Sequence, residues 1–146
     1  MTTTDSQPLH LIIAGNKKTD PFANTLRAVT KKWGANTIHS VYLTRFDTDG
    51  QLPDWRGLSY EILPNLSIYQ EITMRDSKQY AKEFLELLRN LITNKTVSRD
   101  SIIVDLTNAT KTWCDLVYLS CTLMQVEKIF RLKLPPQYFS APYTEV

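Results

Sequence analysis

The sequence feature that most constrains the fold is a run of β-branched apolar residues that ends abruptly in polar ones. Ile102, Ile103 and Val104 follow one another without alternation, and Asp105 ends the run. A strand with this pattern is buried on both faces, as in a parallel sheet covered by helices. A helical pattern follows over about Thr110–Val126. The polar residues at this junction are therefore expected at the carboxyl end of a sheet strand, where parallel α/β sheets bind ligands.

A second strand-to-helix junction occurs near the start of the chain. Leu9–Ala14 reads as a buried strand, and Asp20 followed by Pro21 is a strong helix start. Gly34 is a natural stop for that helix, and Ile38–Thr44 is the next predicted strand. A strand, a helix and a strand in this order form a βαβ unit, which predicts a parallel pair.

The rest of the chain continues the alternation of strands and helices. Asp76 with Gln79 forms a capping box for a helix that runs to about Ile92. The remaining predictions are a loop over Arg45–Gly57, a strand over Tyr60–Leu63, a strand or extended connection over Leu66–Ile72, and a final strand over Lys128–Leu134. This order predicts an α/β, Rossmann-like three-layer domain with a mainly parallel sheet. Its length fits a single domain over residues 1–146, with a C-terminal tail over 137–146.

Composition narrows the classes of partner. The formal net charge of +2 is too small for a broad DNA- or RNA-binding face, so direct DNA binding is not expected, whereas a small anionic ligand is compatible with it. Cys114 and Cys121 fall seven residues apart in one predicted helix, and we expect buried free thiols in a reducing cytoplasm. His10 and His39 have no metal-ligand spacing with them, so no metal site is predicted.

Several familiar motifs and segments are missing from the sequence. No apolar run approaches the roughly 20 residues that span a bilayer, so we expect a cytoplasmic protein without a membrane anchor. With only four glycines, the chain has neither a Gly-x-Gly-x-x-Gly nor a P-loop motif. It also lacks the Gly-x-Ser-x-Gly elbow of α/β hydrolases. These absences argue against a dinucleotide oxidoreductase, a P-loop NTPase and a common hydrolase.

The segment Val104–Lys111, with the sequence VDLTNATK, resembles the same junction in CRISPR-associated Rossmann-fold (CARF) domains. Those domains typically carry Asp-x-Thr-Gly-Gly-Thr-Lys there, and they bind cyclic oligoadenylates, usually as homodimers with one ring across the two-fold axis. The matching loop after their first strand also lines the pocket. Asn108 and Ala109 replace the glycine pair in this chain, so a changed turn or a less closely approaching ligand is expected.

The resemblance implies ligand contacts in two loops. They are Gly15, Asn16, Lys17, Lys18 and Thr19 after the first strand, and Thr107, Asn108, Ala109, Thr110 and Lys111 after the central strand. Plainer interpretations remain open: the lysines as solvated side chains, and Thr107 and Thr110 as helix caps. Asp105 fits better as the residue that orders the adjacent turn than as a contact of an anion, and Trp113 fits the helix core better than a base-stacking platform.

Three functions follow from the resemblance. The first is a cytoplasmic homodimeric sensor of cyclic oligoadenylate in CRISPR-type antiviral signalling, which needs no cofactor. The second is a metal-independent ring nuclease that cleaves the same ligand; its catalytic residues are unknown, with Lys111 the candidate if there is one, and Lys17, Lys18 or Lys111 could neutralise the developing charge. The third is an interaction subunit that kept the fold and lost the ligand. The breadth of apolar residues in the last helix, over Trp113–Met124, favours a homodimer.

Overall fold

The structure, a computed structural model, describes residues 8–14, 22–46, 54–74, 77–107, 109 and 111–131. Its strands are β1 (Leu9–Ala14), β2 (Ile38–Phe46), β3 (Ile68–Met74), β4 (Ile102–Asp105) and β5 (Lys128–Phe130). Its α-helices are α1 (Phe22–Trp33), α2 (Trp55–Ile62), α3 (Ser77–Arg89) and α4 (Lys111–Met124). A π-helical turn at Asn90–Asn94 extends α3, and a 3-10 turn at Arg99–Ser101 leads into β4.

The five described strands form one sheet in the order β3-β2-β1-β4-β5. Every neighbouring pair in it is parallel. β4 lies between β1 and β5, so the prediction of an interior strand ending near Val104 is confirmed. The sheet and its helices confirm the Rossmann-like α/β fold.

Two apolar cores explain why the β4 run has no alternation. Ile12 and Val104 belong to the core on the α3 and α4 side of the sheet. Leu11 and Ile103 belong to the core on the other side, against α1 and α2. Because successive strand residues point to opposite faces, an interior strand covered on both sides needs apolar residues at consecutive positions.

Local sequence signals mark β1 and the end of α1 in the first βαβ unit. β1 spans the predicted residues Leu9–Ala14. Gly34 follows α1 with a φ of 96°, a left-handed conformation that favours glycine, and its N–H donates to the Thr30 carbonyl at 2.7 Å. The predicted helix start at Asp20 and Pro21 lies outside the described residues. The parallel pairing of β1 with β2 confirms the predicted βαβ unit.

The predicted strand over Tyr60–Leu63 is wrong. Those residues form the end of α2 and its C-terminal cap, and the helix begins inside the predicted loop. The cause is the Asp54 side chain, which accepts a hydrogen bond from the Gly57 N–H at 3.0 Å and caps the helix. Trp55 and Ser59, one helical turn apart, are then buried on the same side.

The other boundaries differ by smaller amounts. β2 runs on to Phe46, and the segment predicted over Leu66–Ile72 contains a strand, β3, which begins at Ile68 and continues to Met74. The helix predicted to reach Ile92 is α-helical to Arg89 and continues as the π-helical turn. Of the final predicted strand, β5 occupies Lys128–Phe130, and residues 132–134 lie outside the described part of the chain.

Candidate functional site

The sheet order reverses direction between β1 and β4. From β1 the chain moves outward to β2 and β3, and it then crosses back to β4 and continues to β5. In open α/β sheets the carboxyl ends of the two strands at such a reversal form a crevice that binds ligands. The loops predicted from sequence, Gly15–Thr19 and Thr107–Lys111, directly follow these two neighbouring strands. We call this place the β1/β4 crevice.

The structure describes three of the ten predicted contact residues. Thr107 and Ala109 are buried, whereas Lys111 is exposed and is the first residue of α4. The predicted contacts Gly15, Asn16, Lys17, Lys18, Thr19, Asn108 and Thr110 lie outside the described residues. The described residues of the predicted site therefore belong to the turn between β4 and α4 and to the first position of α4.

Asp105 organises that turn. Its Oδ1 accepts hydrogen bonds from the Thr107 N–H at 2.9 Å and from the Thr107 hydroxyl. This Asx-type arrangement confirms that Asp105 orders the turn. The Thr107 hydroxyl takes part by donating to the Asp105 carboxyl. The Asp105 Oδ2 is buried, and no hydrogen-bond partner for it occurs among the described residues.

Burial also changes the acidity of Asp105. It raises the pKa of this fully buried carboxyl to about 6, although the hydrogen bonds from Thr107 and the charge of Arg131 act in the opposite direction. A carboxyl with this pKa is partly protonated in mildly acidic solution and repels a nearby anion less than an ordinary aspartate. Near pH 7 the carboxyl is still mainly ionised, so this relief of repulsion is confined to mildly acidic solution.

Ala109 packs the turn onto the protein interior. It belongs to the core on the α3 and α4 side, and its N–H donates to the Leu106 carbonyl at 3.1 Å. The Cys114 thiol reaches the Ala109 carbonyl at 3.7 Å. The methyl group at this position therefore fills core space that a glycine would leave to its neighbours. Both cysteines, Cys114 and Cys121, are buried free thiols, as predicted.

Arg131 is a cation of this edge that the sequence reasoning did not identify. It directly follows β5, and its guanidinium donates to the Cys114 sulfur at 2.6 Å. Its charge also acts on Asp105. The sequence signal for Arg131 was its position just beyond the carboxyl end of β5, the strand next to β4. The carboxyl ends of neighbouring parallel strands meet at one edge of the sheet, so such a residue lies near the candidate site.

A buried hydroxyl pair supports the carboxyl end of β2 on the other side of β1. Thr44 lies in register with Ala14, and its hydroxyl donates to the Ile13 carbonyl at 3.1 Å. The Tyr80 hydroxyl lies 3.1 Å from the Thr44 hydroxyl oxygen. Trp113 stands edge-on against the Tyr80 ring and is only 2% exposed, which confirms that it packs in the core.

Two observations bear on membranes and metals. In the described ranges, none of the helices has the length and apolar character needed to cross a membrane. Those same ranges contain no group of three or more His, Cys, Asp and Glu side chains that could hold a metal ion.

Neither a protein-family model nor a curated protein sequence gives a significant match to this chain.

Proposed function

We propose that this protein is a homodimeric sensor that binds a cyclic oligoadenylate in the β1/β4 crevice. The observation that carries the proposal is the reversal of strand order between β1 and β4. It makes the two loops predicted to contact the ligand follow neighbouring strands at the end of the sheet where such folds bind nucleotides. The resemblance of Val104–Lys111 to CARF domains supplies the class of ligand.

The charges at this edge favour a polyanion. Lys111 is exposed at the first position of a 14-residue helix, where the helix dipole disfavours a cation unless an anion is near. A phosphate of the ligand would relieve that cost and would also meet unpaired N–H groups of the helix. Arg131 adds a second positive charge next to the turn.

The surface of α4 favours a second copy of the chain as its partner. Tyr118, Leu119 and Leu123 are 45%, 58% and 63% exposed, and Leu119 and Leu123, four residues apart, form one stripe on the helix. The opposite face of α4 is buried in the core. Pairing two α4 stripes would cover this apolar surface and bring two sets of weak ligand contacts into one assembly. Symmetry would then let one ring contact both protomers.

Binding without rapid cleavage is the preferred form of this function. The chain has two histidines, His10 and His39, and both lie near the amino ends of their strands, away from the β1/β4 crevice. Orientation of a ribose hydroxyl in line with its phosphate can still cleave a ring without a general base. A ring nuclease that uses Lys111 to stabilise the developing charge is therefore the second candidate.

Product analysis separates the candidates. Stoichiometric protein is incubated with labelled cyclic tetra-adenylate and cyclic hexa-adenylate in the absence of metal, and the nucleotides are resolved. We expect intact ligand retained by the wild type and less retained by Lys111→Ala. The matched control is Lys82→Ala, which removes an exposed lysine from α3 and should behave as wild type.

The other outcomes are equally informative. Linear products ending in a 2′,3′-cyclic phosphate, lost in Lys111→Ala, would overturn the sensor proposal and establish a ring nuclease. Failure to bind either ring would contradict both and leave an interaction subunit of the same fold.

A further inference from the structure

At the end of the sheet opposite to the β1/β4 crevice, a cleft is lined by two histidines and a lysine. It has a volume of about 300 Å³, and its lining includes His10 from β1, His39 from β2 and Lys95 from the segment after the π-helical turn. None of the described residues that line it is acidic. This volume is at the lower end of the range for small-molecule pockets. We call it the amino-end cleft; the charge of Lys95 and the lack of acidic residues in the described lining suit an anion.

A hydrogen bond to Ser40 holds the His10 side chain in place. Its Nδ1 lies 2.6 Å from the hydroxyl of Ser40, which is fully buried on β2. This hydrogen bond leaves Nε2 as the ring nitrogen available to a ligand. The His39 ring stands edge-on to the His10 ring, with 5.5 Å between their centroids. The two imidazoles therefore lie together in the lining of the cleft.

An irregular backbone positions Lys95 beside this pair. Its N–H donates to the Asn90 carbonyl at 3.0 Å and closes the π-helical turn, and the next residue, Thr96, has a φ of 51°. A β-branched residue at positive φ is rare, and both π turns and such strain are frequent at functional sites. The Lys95 Nζ lies 5.8 Å from the centroid of the Tyr42 ring, so the side chain lies over the sheet rather than away from it.

We propose that the amino-end cleft binds the phosphate group of a small phosphorylated molecule. The side-chain nitrogens of this lining, together with the Ser98 hydroxyl, match the several acceptor oxygens of a phosphate, whereas the Thr96 hydroxyl already donates to the Lys95 carbonyl at 2.7 Å. A metal ion fits less well, because Lys95 repels a cation and two imidazoles offer too few ligands. The cleft is separate from the β1/β4 crevice, since it lies at the other ends of the strands.

Anion binding in this cleft is coupled to protons. Burial, together with smaller contributions from the nearby charges of His39 and Lys95, lowers the pKa of His10 to about 4. His10 is thus neutral in the ligand-free protein near pH 7. A bound anion offsets the repulsion and raises this pKa, so binding takes up protons and tightens as the pH falls.

The test is a histidine titration by NMR with inorganic phosphate as the probe. Sodium chloride at matched ionic strength is the reference, and sulfate, which stays a dianion over the titration range, separates protein protonation from phosphate protonation. We expect saturable shifts of both histidine resonances with phosphate and sulfate. We also expect a rise of about one unit or more in the pKa of His10. Identical titrations in phosphate and in chloride would overturn the proposal.

Two variants and two ligands sharpen the result. Lys95→Gln, at an exposed position, should weaken phosphate binding roughly fivefold without affecting folding. The control Lys82→Gln should bind as wild type, and equal affinity in Lys95→Gln would contradict the site. Ribose 5-phosphate should bind more tightly than inorganic phosphate, and ribose alone should not bind. A ribose 5-phosphate affinity no greater than that of phosphate would overturn the small-molecule assignment.

Discussion

The buried carboxyl of Asp105 orders the turn beside the β1/β4 crevice, and its two oxygens have different surroundings. One oxygen fixes the turn between β4 and α4 by accepting two hydrogen bonds from Thr107. The other oxygen is buried without a partner among the described residues. Burial of a carboxylate with incomplete compensation disfavours the charged form, which is why the pKa of this group is raised to about 6.

This shift predicts a characteristic dependence of stability on pH. Because the folded pKa is above the ordinary value of 3.8, the group contributes stability in acid, and that contribution is lost as the pH rises through about 6. Between about pH 4 and about pH 7 the loss should be roughly 2–3 kcal/mol of the free energy of unfolding. Asp105→Asn keeps an acceptor for Thr107 and removes the ionisation.

Urea unfolding of both proteins at the two pH values measures this contribution. The difference between the curves isolates Asp105 from other groups, including His10, whose lowered pKa acts with the opposite sign. The variant should gain stability relative to the wild type as the pH rises. Parallel pH profiles of the two proteins would show that Asp105 does not titrate differently in the folded state.

The hydroxyl pair of Thr44 and Tyr80 allows a second prediction at this scale. Tyr80→Phe removes one hydrogen bond but leaves the Thr44 hydroxyl bonded to the Ile13 carbonyl, so it should cost about 1 kcal/mol. Thr44→Val leaves the buried Tyr80 hydroxyl without this partner and removes both bonds, so it should cost about 2–3 kcal/mol. Equal costs in chemical denaturation would contradict the arrangement.

At the scale of elements, α4 has two faces with different tasks. One face, which includes Trp113 and Val117, is buried against the sheet and α3. The other carries Leu119 and Leu123, which are among the few exposed large apolar residues of the described chain. An exposed apolar stripe of this kind is typical of an interaction surface.

We predict that this stripe forms the dimer interface. Leu119→Glu with Leu123→Glu should shift the protein from dimer to monomer in sedimentation at tens of micromolar, because charges are then buried without partners. The control is Tyr60→Glu, which changes an exposed large residue of α2 and should leave the dimer intact. A wild-type protein that sediments as a monomer would contradict the interface.

How well each element could be predicted depends on whether its signals are local. β1 and the interior position of β4 were predictable, because unbroken apolar runs and flanking polar residues mark them. α2 was missed, because its eight residues include Gly57 and its start depends on the Asp54 cap. A short apolar run in a single sequence fits either a strand or a helix, and tertiary packing decides between them.

The candidate site was predictable only in part for a similar reason. The turn at Asp105 and the exposure of Lys111 follow from the local sequence. Arg131 was missed, because its proximity to Asp105 and Cys114 arises from the pairing of β5 with β4. The amino-end cleft was missed as well, since His10, His39 and Lys95 come together only through the sheet and the π-helical turn.

At the scale of the whole molecule, the parallel sheet separates two basic regions. The β1/β4 crevice lies at the carboxyl ends of its strands, and the amino-end cleft lies at the other ends. Lys111 belongs to the first region and Lys95 to the second. Substitutions in the two regions should therefore act independently: Lys95→Gln should leave cyclic oligoadenylate binding unchanged, and Lys111→Ala should leave phosphate binding unchanged. Calorimetry of both ligands with both variants checks this. Weaker binding of a ligand caused by the substitution in the other region would contradict the separation.

The most direct test of the proposed function is a calorimetric titration of the protein with cyclic oligoadenylate. The account predicts saturation at one ring per two chains, as expected for a ligand on a two-fold axis. It also predicts that Lys111→Ala weakens binding by roughly 1–3 kcal/mol, the range for a charge-assisted hydrogen bond, whereas Lys82→Ala does not. Saturation at one ring per chain would contradict the shared site, and equal affinity of wild type and Lys111→Ala would contradict the contact on which the proposal rests.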